Sequence, residues 1–204
     1  MKTIEYIHGK YTYNRRVRVL TEHLAELTPR DARVLDVGCG DGLIAHLIME
    51  KRPDVNTEGL DVLIRDETYI EVHQFDGQRI PHADKSFDVV RFVDVLHHTP
   101  DPMVLLREAA RVARHSILIK DHLNDGMFAG VTLRFMDWVG NARHGVVLPY
   151  NYWPKQRWLA AFSTLGLTIA VWRENLHLYP LPANLFFDRS LHFIARLELR
   201  RPTD

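Results

Sequence analysis

The stretch from Arg33 to His46, RVLDVGCGDGLIAH, constrains the fold more than any other part of the chain. Val34, Leu35 and Val37 form an apolar run that meets Gly38, Gly40 and Gly42, and a pattern of helical period follows. Glycines at such spacing allow positive φ and let backbone N–H groups approach a ligand closely. A strand, a tight glycine turn and a helix N-terminus make the first βα unit of a nucleotide-binding α/β fold.

The acids around the glycines narrow the ligand. Asp36 lies at the strand end and Asp41 in the turn. A dinucleotide puts its pyrophosphate on this helix N-terminus and wants amides there, without negative charge. Two carboxylates would repel it and suit a ligand carrying a cationic amino group and a sulfonium. The stretch resembles the first motif of class I S-adenosylmethionine-dependent methyltransferases, acid-x-Gly-x-Gly-x-Gly, with Asp36, Gly38, Gly40 and Gly42 matching and Cys39 between them. The resemblance implies an α/β, Rossmann-like three-layer sandwich. Its sheet would have seven strands, mostly parallel, with an antiparallel last strand. It also implies S-adenosyl-L-methionine as cofactor.

The chain downstream fits that order. The first strand (33–38) leads to a helix from about Gly40 to Lys51, and a second strand follows at 56–62. Asp61 lies 19 residues beyond Gly42, the distance at which this fold sets an acid on ribose hydroxyls. Val62 follows it. Only fourteen residues separate Asp61 from Asp76, and they must hold a third strand, about Tyr69 to Phe75. The remaining LIRDET makes little more than one helical turn, so the second crossover helix is expected to be shortened, leaving a sheet face open to a partner or a second copy, a possible homodimer. By the resemblance, Asp76-Gly77 contacts the adenine. The phrase from Ile80-Pro81 to Ser86-Phe87-Asp88 resembles a stretch of small-molecule methyltransferases, although His82 stands where Phe is usual. It leads into a fourth strand, Asp88 to Val95; the resemblance implies that this strand ends beside the sulfonium, with Asp94, Val95, Leu96, His97 and His98 near the chemistry.

Thr99-Pro100-Asp101-Pro102 breaks that strand and starts a helix with proline in its first turn. A fifth strand (116–123) ends in Asp121-His122. In open α/β sheets ligands sit beyond the carboxyl ends of the strands, so acids and histidines at five strand ends converge on one crevice. A helix at about 127–139 is apolar on nearly all sides and is expected to be buried. The loop GNARHGVVLPYNYWP (140–154) is too long for a plain turn. Asn141, Arg143, Tyr150, Tyr152 and Trp153 are its candidate substrate contacts. A helix after Pro154 and two strands, 167–175 and 191–200, match the antiparallel hairpin that closes such sheets. At the other end, a helix over Tyr13–Leu27 buries Val17, Leu20, Leu24 and Leu27. By the resemblance it caps the cofactor, with Tyr11 and Arg15 or Arg16 facing it.

The expected organisation is one domain over 1–204, with a cap helix in 1–30 and an inserted helix and substrate loop in 124–154. Equal numbers of basic and acidic side chains, 26 each, argue against a broad nucleic-acid surface. A single cysteine and no His-Glu-x-x-His spacing among twelve histidines argue against a metal centre. No apolar run reaches a membrane span, and the N-terminus has no signal-peptide core, so a cytoplasmic protein is expected. The expected reaction is O- or N-methylation of a small molecule. If the acceptor proton must leave, His98, His122 and His144 are candidate bases, and Asp121 is a candidate to orient a histidine or to bind a substrate amine. A cofactor-binding partner subunit without chemistry is the alternative. A nicotinamide oxidoreductase is disfavoured by Asp36, Asp41 and the lack of a Tyr-x-x-x-Lys pair placed for hydride chemistry.

Overall fold

A computed structural model describes residues 2–141 and 149–200, and side chains from residue 15 onward except 140 and 141. Seven strands form one sheet in the order β3-β2-β1-β4-β5-β7-β6. They are β1 (Arg33–Val37), β2 (Asn56–Asp61), β3 (Val72–Gln74), β4 (Phe87–Val93), β5 (Ala113–His122), β6 (Leu167–Arg173) and β7 (His192–Leu199). Strand β7 runs antiparallel to both β5 and β6, and the other pairings are parallel.

Alternation along the strands divides the core between two faces. Leu35, Val37, Val90, Phe92, Ile117 and Ile119 pack with helices α3 (Pro102–Val112) and α5 (Lys155–Thr164). Val34, Val89, Leu118 and Ile194 pack with α1 (Lys2–Leu27) and α2 (Leu43–Lys51). That makes the three layers. Both faces of β1, β4 and β5 are covered, which is why their sequences are continuous apolar runs. Helix α1 starts earlier than its apolar spacing predicts, and Val17, Leu20, Leu24 and Leu27 are buried as that spacing requires. Helix α3 starts at Pro102, with the Asp101 carboxylate accepting the Met103 N–H at 3.0 Å. Among the described residues no helix is long and apolar enough to cross a membrane.

The shortened crossover holds, and goes further than expected. No helix occurs between β2 and β3, and β3 has three residues, fewer than the predicted Tyr69–Phe75. The segment is tied to the glycine turn instead. Tyr69 donates its N–H to Asp41 O at 2.8 Å and its ring meets His46 at 5.7 Å. Ile70 fills the space that Gly42 and Gly59 leave without a Cβ. Val62, Leu63, Ile64 and Tyr69 stay exposed along this edge.

One expectation is corrected outright. Helix α4 (Ala129–Asn141) is not buried. Ala129 and Leu133 pack inward with Tyr152 and Leu191, Met136 packs partly against them, and Asp137 is buried on the same side. Val131, Phe135 and Trp138, spaced one stripe apart, are 70%, 52% and 59% exposed. An all-apolar helix reads as buried, but α4 follows the end of β5, and among the described residues no second layer covers its outer side.

Candidate active site

The turn after β1 builds the first wall. Gly38, Gly40 and Gly42 have φ of 73°, 62° and 78°, values that L side chains rarely adopt. Gly38 also lies so close to Val95 that a Cβ would stand 2.5 Å from its Cγ2, which is why Val95 lines the turn. Gly40 has nothing within 4 Å of such a position, so its backbone faces open space. Asp61, at the end of β2, accepts N–H groups from Gly40 at 2.8 Å and Leu63 at 2.9 Å. The acid is thus fixed beside the glycine that faces open space. A Cβ on Gly77 would stand 3.1 Å from Val62, so those two residues are neighbours at the next strand end. Asp76 spends its Oδ1 on the Gln78 and Arg79 amides, both at 2.8 Å. It also lines a cavity of about 530 Å³ with Phe75, Arg79 and His82, an opening beside β3 that the glycine turn does not share. Burial and the carboxylates of Asp36 and Asp61 push the Cys39 thiol far up, so it stays protonated.

Two acids expected at the cofactor are committed elsewhere. The Asp36 carboxylate is 4% exposed and accepts Arg91 Nη2 at 2.8 Å across the β1–β4 pair. Its Oδ1, and Nε and Nη1 of Arg91, have no hydrogen-bond partner among the described residues. Asp94, at φ 58° after β4, is gripped by Arg16 from α1 and Lys120 from β5. Burial alone would raise the Asp94 carboxyl, but those two cations outweigh it and hold it well below the carboxylate range. Arg16 therefore does reach the strand ends, through Asp94. The side chains of Tyr11 and Asn141, and Arg143 and His144 entirely, lie outside the described residues.

A second buried cluster follows β4. Leu96–His98 form a short 3-10 turn, with the Leu96 side chain in the core rather than against a ligand. Asp121 is fully buried and accepts the Leu96 N–H at 3.0 Å and His97 Nδ1 at 2.7 Å. It braces the turn and holds His97, so the histidine it orients is His97 and not His98 or His122. His97, named from sequence only as a neighbour of the chemistry, is the centre of the cluster. Burial opposes its charge, but Asp121 and Asp137 hold the imidazolium, whose pKa rises to about 10. His122 lies between the rings of His97 at 4.6 Å and His192 at 4.8 Å. Burial, Lys120 and His97 push its pKa well below the usual value, so it is neutral. Burial and His97 likewise lower His98. The pairs were hidden from sequence because each joins residues from different elements, 24 to 78 positions apart.

The loop after α4 divides its candidates. Tyr152 stacks on His97 at 5.3 Å and gives its hydroxyl hydrogen to Asp137. Tyr150, at φ 53°, lies under Arg134, whose guanidinium is 5.7 Å from the ring. Trp153 is 1% exposed and packs on Trp158 at 4.9 Å, with Nε1 donating to Asn151 at 3.1 Å. It is a core residue, which corrects its assignment to the substrate. The exposed stripe of α4 continues into the short helix α6 (Asn184–Phe187): Phe135 stacks with Phe187 at 6.4 Å, and Leu185 and Phe186 are exposed.

An adenosyl sulfonium ligand suits these residues. The open space at Gly40 admits a ligand to the backbone, and the Asp61 carboxylate, held on the Gly40 N–H, stands beside it.

The comparisons point the same way. The 27-O-demethylrifamycin SV methyltransferase of Amycolatopsis mediterranei is 36% identical over 110 residues, 47% of this chain and 40% of that protein. A ubiquinone biosynthesis O-methyltransferase of Aliivibrio fischeri is 31% identical over 94 residues, 40% of this chain and 39% of that protein. The matched region is thus about 40% of each relative's length. A putative methyltransferase of Haloferax volcanii, solved in complex with the Trm112 methyltransferase activator, has TM-score 0.67 at 15% identity over 97% of each chain, which shows the shared fold. A family model described as a methyltransferase domain matches residues 10–170, so the chain belongs to the S-adenosylmethionine-dependent methyltransferase family.

Proposed function

We propose that this chain transfers a methyl group from S-adenosylmethionine to an oxygen or nitrogen of a small molecule with an apolar body. The observation that carries the acceptor class is the exposed apolar rim. Val131, Phe135 and Trp138 form the exposed side of α4, the helix whose inward side carries Asp137 to His97 and Tyr152, and Leu185 and Phe186 of α6 extend that apolar surface. An exposed apolar patch next to a polar crevice is the usual form of a small-molecule mouth.

The cofactor supplies a methyl group already activated on a sulfonium. The chain's part is positioning and exclusion of water. The glycine turn and Asp61 hold the nucleoside end. His98, neutral and partly exposed, is the candidate to take a proton from an acceptor hydroxyl or ammonium, whereas burial, Lys120 and the charged His97 oppose a proton on His122. His97 already carries its proton and cannot. The relatives act on a rifamycin and in ubiquinone biosynthesis by name, and both names fit an acceptor of this shape.

A partner-subunit reading is favoured by a separate feature: Val62, Leu63, Ile64 and Tyr69 are exposed where the crossover helix is missing. One assay separates the two. Formation of S-adenosylhomocysteine is followed with a panel of phenols, polyketide aglycones and amines, with unmodified tRNA as a control. Turnover of an apolar small molecule is expected. Cofactor binding without any turnover moves the weight to the partner reading, and turnover of tRNA alone refutes the small-molecule acceptor.

A further inference from the structure

We propose that His97, His98 and Asp137 form a site for one divalent transition-metal ion, of which zinc is the type, at the inner end of the crevice. A nitrogen or oxygen from each residue lies within 4.8 Å of those of the other two. Two imidazoles and a carboxylate are the donor set of open zinc sites, which keep a fourth position for a ligand. Imidazole donors favour zinc, iron, nickel or copper over magnesium and calcium.

Two features distinguish this trio from a chance meeting. First, each imidazole has a buried ring nitrogen that lacks a hydrogen bond. His97 is 1% exposed and donates its Nδ1–H to Asp121 at 2.7 Å, which leaves Nε2 3.5 Å from Asp137 Oδ2; an ion bound there takes the place of the Nε2 proton, which is released to solvent. His98 Nδ1 is also buried without a hydrogen-bond partner, and its ring centroid is 4.0 Å from that of His97. Second, the outer shell is in place. The Asp121–His97 pair is the arrangement that fixes ligating imidazoles, and the Tyr152 hydroxyl orients the Asp137 carboxylate. Zinc with bonds of about 2.0–2.1 Å needs donors roughly 3.4 Å apart; the His97–Asp137 pair is already at 3.5 Å, and the wider separations close by at most about 1.4 Å on binding.

No spacing motif announces the site, because two ligands come from the turn after β4 and the third from α4. On the methyl-transfer reading above, the fourth position of the ion is the one an oxygen or nitrogen of the acceptor would take.

The test does not involve the cofactor, so its failure is distinct from failure of that reading. Chain stripped with EDTA is titrated with zinc chloride by calorimetry, and cobalt(II) is added separately for its visible absorption. One zinc per chain is expected, in the micromolar range or tighter. His98→Ala and Asp137→Asn should each weaken it at least tenfold and abolish the cobalt band, with unchanged circular dichroism. His115→Ala, whose side chain is 64% exposed away from the cluster, should bind as wild type. No stoichiometric zinc binding, or equal affinity in the wild type and the His98→Ala variant, overturns the proposal. Should Asp137→Asn fail to fold, His98→Ala decides alone.

Discussion

Replacing Asp94 with Asn strands the ammonium of Lys120. Lys120 is fully buried in β5, and its Nζ meets Asp94 and stands 3.3 Å from His192 Nδ1. Burial lowers the lysine pKa, and Asp94 is the main influence opposing that shift. Removing one partner of a buried ion pair costs about 3–5 kcal/mol. Neutralisation is the lysine's alternative, and holding an ordinary lysine neutral at pH 7 costs about 4.6 kcal/mol, at about 1.4 kcal/mol per pH unit. The two figures agree, so urea melts at pH 7 should show a loss of about 3–5 kcal/mol. The sign of the pH dependence follows. In the variant the unfolded chain binds a proton up to pH about 10.4 and the folded chain does not, so stability rises with pH. The deficit against wild type should shrink by roughly 2–3 kcal/mol between pH 7 and 9. The double variant Asp94→Asn/Lys120→Met, with no buried charge left in the pair, should recover most of the loss. A deficit below about 1 kcal/mol, or one independent of pH over this range, would refute the reasoning.

Other predictions are simpler. Gly40→Ala should cost about 1–2 kcal/mol, from the left-handed conformation alone, yet weaken S-adenosylhomocysteine binding at least tenfold in calorimetry, because its methyl enters the open space at φ 62°. Gly38→Ala adds a clash with Val95 at 2.5 Å, and melting should show a larger loss, about 2–5 kcal/mol. Trp153→Ala should cost about 3–5 kcal/mol in a denaturant melt, as a core residue does. Trp138→Ser should change stability by no more than about 0.5 kcal/mol, while steady-state kinetics show a several-fold higher KM for an apolar acceptor.

The sheet was legible because its signals are local. The run into Gly38, the proline after Asp101 and the fourteen residues between Asp61 and Asp76 each dictate structure within a few positions. The placement of α4 was not legible. Its composition says only that it is apolar, and whether anything covers Val131 and Trp138 depends on the tertiary position of the helix. The site was half legible. Asp61 and the glycines are read from spacing, but the partner of Asp36 is Arg91, 55 positions away. Burial decided that choice, since an arginine in the middle of β4 has to find a carboxylate. The same holds for His97. Its neighbour His98 is as prominent in sequence, yet it is His97 that meets both Asp121 and Asp137.

The central claim, that Gly38–Gly42 and Asp61 hold S-adenosylmethionine, is tested most directly by calorimetric titration of the chain and its Asp61→Ala variant with S-adenosylmethionine, S-adenosylhomocysteine and NADH. The account predicts micromolar binding of the two adenosyl ligands, at least tenfold weaker in the variant by loss of charge-assisted hydrogen bonds, and no binding of NADH. Binding of NADH alone, or adenosyl affinities unchanged in the variant, would contradict it.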